Sequence, residues 1–198
     1  MTRSPFGRLL RLFIGCIVLG IGVGLLLTAD LGSDGYSTLV NGIARTAHWP
    51  FVVANVAVSA VFLVAAALRR VLPGVGTLVQ IVVVGFTVSV VLDAIDTPDT
   101  LLGRAAYLAL ALPVLAIGVA MYLGTRLGAG PAEGAAMAWD PPLPFKWSYS
   151  ILQGSSAIAG WMFGASLGVG TVVVIALLGS GVDLAARWMR VDISPQRS

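Results

Sequence analysis

Two acidic residues, Asp34 and Glu133, stand where glycine, proline and small polar residues interrupt long apolar runs. The first break reads Leu31-Gly32-Ser33-Asp34-Gly35-Tyr36-Ser37-Thr38 and the second Leu127-Gly128-Ala129-Gly130-Pro131-Ala132-Glu133-Gly134. No acid sits at the middle of any apolar run, which argues against the usual intramembrane proton relay and leaves these two for ion coupling. Gln80 and Gln153 are amides inside apolar runs, where an unsatisfied amide is costly. Each therefore contacts a substrate or bonds a neighbouring helix. Ser33, Ser37 and Asn41 flank or follow the first break. The candidate substrate-contacting set is Ser33, Asp34, Ser37, Asn41, Gln80, Glu133 and Gln153. Nothing in these residue types names the substrate.

Catalysis is not expected. Gly154-Ser155-Ser156 supplies serines, but the one histidine, His48, lies at the opposite end of another run, and a serine–histidine pair needs hydrogen-bond reach. The single cysteine, Cys16, excludes an internal disulfide and a multi-cysteine metal site, and its place in an apolar run makes it a packing residue. No metal or cofactor is implied. No phosphate-cradling loop occurs, so any use of ATP would come from a partner.

These residues are carried by an unusually apolar chain. Of 198 residues 58% are hydrophobic and 11% charged, against about 25% charged in soluble domains. A bilayer must serve as solvent for most of it. The net charge of +3 does not point to nucleic acid, because the arginines gather at the ends of apolar runs rather than on one face. Six runs approach the roughly 20 residues a membrane helix needs: 9–28, 50–68, 75–92, 105–124, 147–165 and 169–186. With the N-terminus inside, Arg3, Arg8, Arg11, Arg69, Arg70, Arg126, Lys146, Arg187, Arg190 and Arg197 fall on the cytoplasmic side, and Arg45 and Arg104 fall outside. That bias places both termini in the cytoplasm.

The runs repeat. Shifted by 96 positions, 7–32 matches 103–128 at eleven of twenty-six residues, including Gly7/Gly103, Arg8/Arg104, Gly22/Gly118 and Gly32/Gly128; chance would give roughly three. The run Gly74-Val75-Gly76-Thr77 returns as Gly168-Val169-Gly170-Thr171. Two copies of three spans, about 7–95 and 103–190, must face opposite ways, because three is odd. This predicts an all-α single membrane domain of inverted repeats, with short broken helices after spans 1 and 4. The recurrence also argues against reading 1–29 as a cleaved signal peptide. Matching interruptions in two halves are the strongest sequence pointer to a transporter-like binding site.

Each break should be followed by a helix too short to cross. In 37–47 the apolar Leu39, Val40, Ile43, Ala44 and Ala47 share a face, and Ser33, Asp34 or Ser37 can cap its first turn. The second piece runs from about Ala132 to Trp139, with Pro131 at or before its start. Two readings stay open: the pieces dip in as half-helices with their amides aimed inward, or they lie flat at the interface. Small-residue stripes at Cys16/Gly20/Gly24, Ala116/Ala120/Gly124 and Ser156/Gly160/Gly164 suit close helix packing. Trp49, Trp139, Trp147 and Trp188 fall at run ends, as headgroup-level rings do, and Trp161, mid-run, should pack against a neighbour. Asp183 and Arg187 are spaced for an ion pair one helical turn apart.

Together the opening Gly7-Arg8-Leu9-Leu10-Arg11-Leu12-Phe13, the segments Ala29-Asp30-Leu31-Gly32 and Arg126-Leu127-Gly128-Ala129-Gly130-Pro131, and the two Gly-Thr helix starts resemble the bacterial YczE/YyaS/YitT group of integral membrane proteins. The resemblance spans roughly 7 to 187. Against the group's pattern, Gly35 and Ser37 replace a proline and an acid, Glu133 replaces aspartate and Gln80 replaces asparagine. It implies a bacterial inner-membrane protein and no particular substrate. The expected function is a small-molecule transporter or exporter with its site between the repeats, in contact with lipid and a small solute and possible as a homodimer. The alternative is a non-transporting module: a substrate-capture subunit for an ATPase partner, or a regulator of another protein.

Overall fold

A computed structural model describes residues 5–139 and 141–191. Arg3 and Arg197 lie outside them, as does the Lys146 side chain. The chain order is α1 (Pro5–Thr28), α2 (Gly35–Ala47), α3 (Phe51–Leu68), α4 (Val75–Ala94), α5 (Leu101–Leu123), α6 (Pro131–Met137), α7 (Phe145–Met162) and α8 (Val169–Trp188). Among the described residues no strand occurs. The expected runs fall within a few residues of these helices, and both short pieces form.

Five of the helices, α1, α3, α4, α5 and α8, are long and apolar enough to cross a bilayer. The expected fifth run, α7, has 18 residues but is more polar, carrying Gln153 and several serines. The membrane assignment therefore rests on five helices rather than six. Their outer faces are lipid-like: Val61, Leu68, Phe86, Ile175 and Leu184 are exposed around the bundle. Water would not tolerate that much contiguous apolar surface.

Both breaks arise in the same way. After α1 the backbone turns through left-handed Asp30 (φ 50) and Gly32 (φ 97), and after α5 through Arg126 (φ 55) and Gly128 (φ 144). Such angles are cheap for glycine, which lacks a Cβ. Gly35 and Pro131 each occupy the first residue of a short helix, which for Pro131 is the expected place. Proline suits that place, since its missing N–H would have no partner there anyway.

Each joint then docks on the first turn of a helix from the other half. Gly76 N donates to Leu127 O at 2.8 Å, and Gly170 N donates to Leu31 O at 2.8 Å. The centre is the crossing of α1 and α5, where backbones approach over glycine. A Cβ on Gly22 would lie 2.9 Å from Leu115 N, and one on Gly118 would lie 2.5 Å from Leu19 N. Gly20 and Gly24 seat Thr87 and Val91 of α4, while Ala116 and Ala120 pack with Val182, Ala185 and Ala186 of α8. With no hydrophobic force between helices in lipid, such close approach maximises dispersion contact.

Three local expectations fail. Trp161 is 60% exposed on α7 instead of packing inward. Among the described residues the ion pair is Arg104–Asp30 at 3.4 Å, and Asp183 does not pair with Arg187. Gly164 drops out of its stripe because α7 ends at Met162, leaving it in the following loop with φ 81.

Candidate functional site

The first short helix does not lie across the ends of the long ones. A Cβ on Gly35 would sit 2.6 Å from the carbonyl carbon of Gln153, midway along α7, and Gly42 abuts Gly160 and Phe163 at its C-terminal end. So α2 starts at the middle of α7 and runs beside its second half. Two side chains satisfy its opening amides: Asp34 Oδ2 accepts from Ser37 N at 3.0 Å, and Gln153 Oε1 accepts from Tyr36 N at 2.8 Å. Gln153 Nε2 donates to Tyr149 Oη at 2.8 Å, one turn back on α7. Tyr36 Oη donates to Asn55 Oδ1 at 2.9 Å and lies 2.7 Å from Ser59 Oγ, both on α3. Asn55 Nδ2 in turn donates to Ile81 O at 2.8 Å. This hydrogen-bonded chain fixes α2 between α3 and α7.

The second short helix brings Glu133 to the same interior. Its carboxylate and the Gln80 amide of α4 both lie over Gly130; a Cβ there would be 2.6 Å from Gln80 Oε1. The Tyr122 hydroxyl, on the last turn of α5, faces Glu133 and the Gly130 backbone without reaching hydrogen-bond geometry. Ser148 Oγ donates to Ala136 O at 2.9 Å, tying the far end of α6 to α7.

Asp34 and Glu133 are close enough to feel each other's charge, and both act on Tyr149 and Tyr36. They lie deep in the protein, yet each keeps part of its surface against open volume. Both carboxyls stand outside the spanning helices. Burial raises each above the ordinary carboxylate range, against backbone hydrogen bonds that lower it. A cavity of about 130 Å³ adjoins the second joint, between Leu63 and Met137 on one side and Gly74, Thr77, Gly130 and Gly134 on the other.

Of the seven sequence-derived candidates, Asp34, Gln80, Glu133 and Gln153 converge on this interior. Ser33 and Ser37 are spent within the first joint: Ser33 Oγ lies 2.8 Å from Thr38 Oγ1, and Ser37 bonds Asp34. Asn41 is half-buried on α2, and among the described residues its side chain joins none of these hydrogen bonds. Missed were Tyr36, Tyr122 and Tyr149, which wall the cluster. Tyr149 carried a usable signal, since it precedes Gln153 by four residues on a helix; Tyr122 carried none beyond a hydroxyl in an aliphatic run.

The model of a family of unknown function, DUF6198, matches residues 6–187. An uncharacterized protein of Haemophilus influenzae is 31% identical over 169 residues, covering 84% of this chain and 77% of its own. The uncharacterized membrane protein YczE of Bacillus subtilis is 24% identical over 179 residues, covering 84% and 80%. No solved structure matches the chain. A five-helix apolar bundle with two docked short helices, matched along nearly its whole length, is thus a YczE-like multi-pass membrane protein, and the chain belongs to the DUF6198 family.

Proposed function

We propose that this protein is a small-molecule transporter or exporter of the bacterial inner membrane, with its site between two inverted three-helix repeats. In this reading α7 is the sixth span, and α2 and α6 are half-helices that dip into the membrane. One observation carries it: α2 begins at the middle of α7, with Asp34 within electrostatic reach of Glu133 of the other short helix. Irregular backbone at membrane depth is tolerated only where protein or a cavity receives it. The inversion is supported by reciprocal contacts. Gly22 abuts Leu115 while Gly118 abuts Leu19, each pair displaced by 96 positions, and each joint docks on the opposite half's third span. The basic residues favour cytoplasmic termini. The partners implied are the bilayer, a small solute and a second copy of this short chain.

The test is reconstitution of the purified protein in liposomes, with internal solutes read by mass spectrometry after exposure to a mixture of amines, amino acids and sugars. Solute gained by the protein alone supports transport. Stable co-purification with an ATPase, and no movement without it, replaces the proposal with the substrate-capture reading.

A further inference from the structure

Two buried polar atoms beside Glu133 have no partner: Gln80 Oε1 and Tyr122 Oη. Tyr122 is 1% exposed, so water does not serve its hydroxyl from outside. Buried polar groups are nearly always paired, because an unmade hydrogen bond costs the full desolvation of the group. Two polar side chains with hydrogen-bonding capacity to spare beside one carboxyl suit the binding of a polar group. The groups there are mostly acceptors: the Glu133 carboxylate, the Gln80 carbonyl, and the Tyr122 oxygen, which can also donate. Asp34 adds a second carboxyl group within electrostatic reach. The titratable neighbours from the packed elements are Asp34 and Tyr36 at α2, Tyr122 on α5 and Tyr149 on α7; Cys16 of α1 stands behind Tyr122. Among the described residues no lysine, arginine or histidine acts on this group. An anion would find no donor of opposite charge here.

We propose that Glu133, Gln80 and Tyr122 form a subsite for a single positive charge, either a protonated amine or a monovalent metal ion, which displaces a proton from Glu133. Burial favours the protonated form of the Glu133 carboxyl while the subsite is empty, and an arriving cation favours the ionised form. When the cation arrives, the O–H bond breaks, the proton leaves to water through the open volume beside Gly134, and the carboxylate pairs with the cation. Charge in the interior is conserved. Gln80 supplies a neutral oxygen and Tyr122 a hydroxyl that turns toward whichever partner is present. The cavity of about 130 Å³ lined by Gly130 and Gly134, the chain neighbours of the subsite, lies on its α3–α4 side.

This inference rests on the transport reading for its purpose but not for its test. Purified protein in weakly buffered detergent is titrated with sodium chloride, methylammonium chloride and guanidinium chloride, with choline chloride as an ionic-strength control. A pH-indicator dye reports released protons, and thermal unfolding reports binding. One probe should release protons and raise the unfolding temperature. The arms then separate the metal ion from the amine. Glu133→Gln should abolish the release and weaken binding about tenfold or more, the loss of a charged partner. Gln80→Leu should weaken binding while leaving the release stoichiometry intact, and it serves as the informative variant if Glu133→Gln fails to fold. No release and no shift with any probe overturns the subsite, as does release that persists in Glu133→Gln. If binding and release occur but liposomes show no flux, the subsite stands and transport falls. Flux of a neutral solute without cation binding does the reverse.

Discussion

Gly160→Ala should loosen the whole first half of the site from α7. A methyl carbon at Gly160 would lie 2.5 Å from the carbonyl carbon of Thr38 and 2.6 Å from Leu39 N. Both are backbone atoms of α2, so no rotamer change relieves them. Separation to ordinary contact moves α2 by about 1 Å. Gly35 and Gly42 press on the same two helices, and the bond from Tyr36 N to Gln153 Oε1 at 2.8 Å would be stretched first. Overpacking of this kind costs about 1–3 kcal/mol. Alanine also stabilises a helix by about 1 kcal/mol relative to glycine, which hides part of the cost. Gly154→Ala on the same helix removes that ambiguity, because a Cβ there meets nothing within 4 Å. The propensity gain is common to both variants. Their difference therefore reads the clash alone, about 1–3 kcal/mol. The assay is reversible unfolding in mild detergent by added dodecyl sulfate, followed by circular dichroism. Equal shifts in the two variants would refute the claim that α2 is seated on α7 by glycine.

Three further outcomes are expected. Gln153→Leu strands the Tyr36 amide and removes one donor to the Tyr149 hydroxyl, and should cost about 1–3 kcal/mol in the same assay; a neutral result would deny Gln153 its role as a cap for α2. Asp30→Asn should cost under about 1 kcal/mol, and the difference should shrink in high salt, because Arg104 and Asp30 are each 32% exposed; an effect of several kcal/mol would mean a tighter pair than the geometry describes. On a Cys16→Ala background, Asp96→Cys should react with an impermeant maleimide in intact cells and Leu72→Cys only in inverted vesicles; the reverse pattern would invert the proposed orientation.

The sequence carried the helices better than their surroundings. Apolar runs bounded by arginine, proline and glycine located the long helices because hydrocarbon demands length and little else. The joints were legible because glycine recurs at Gly32 and Gly128, where the backbone turns left-handed. The depth of α2 was not legible. It depends on glycines of α2 meeting the backbone of α7, a pairing between segments more than a hundred residues apart. The three tyrosines were hidden for a similar reason. A tyrosine in an apolar run reads as interface or packing until its hydroxyl is seen to face a carboxylate from another helix. Gln153 could be read from sequence as either a substrate contact or a bond to a neighbouring helix, and the structure gives its amide oxygen to Tyr36 N of α2 and its amide nitrogen to Tyr149.

The two joints, built from one motif, are not tied down equally. At the second joint Thr77 Oγ1 donates to Ala129 O at 2.6 Å and accepts from Gly74 N at 3.2 Å. At the first, the matching Thr171 Oγ1 is buried without a partner, and the Ser33 carbonyl takes Thr38 Oγ1 at 3.3 Å instead. The same residue thus stabilises one joint and burdens the other. Thr77→Val should cost about 1–3 kcal/mol by leaving the Ala129 carbonyl unpaired, whereas Thr171→Val should be neutral or stabilising, since it removes a desolvated hydroxyl that bonds nothing. Unfolding of both variants in mild detergent measures the difference directly. Equal losses would mean that Thr171 finds a partner and the joints are equivalent. A loss confined to Thr77 would show that two joints of one sequence pattern are held by different hydrogen bonds.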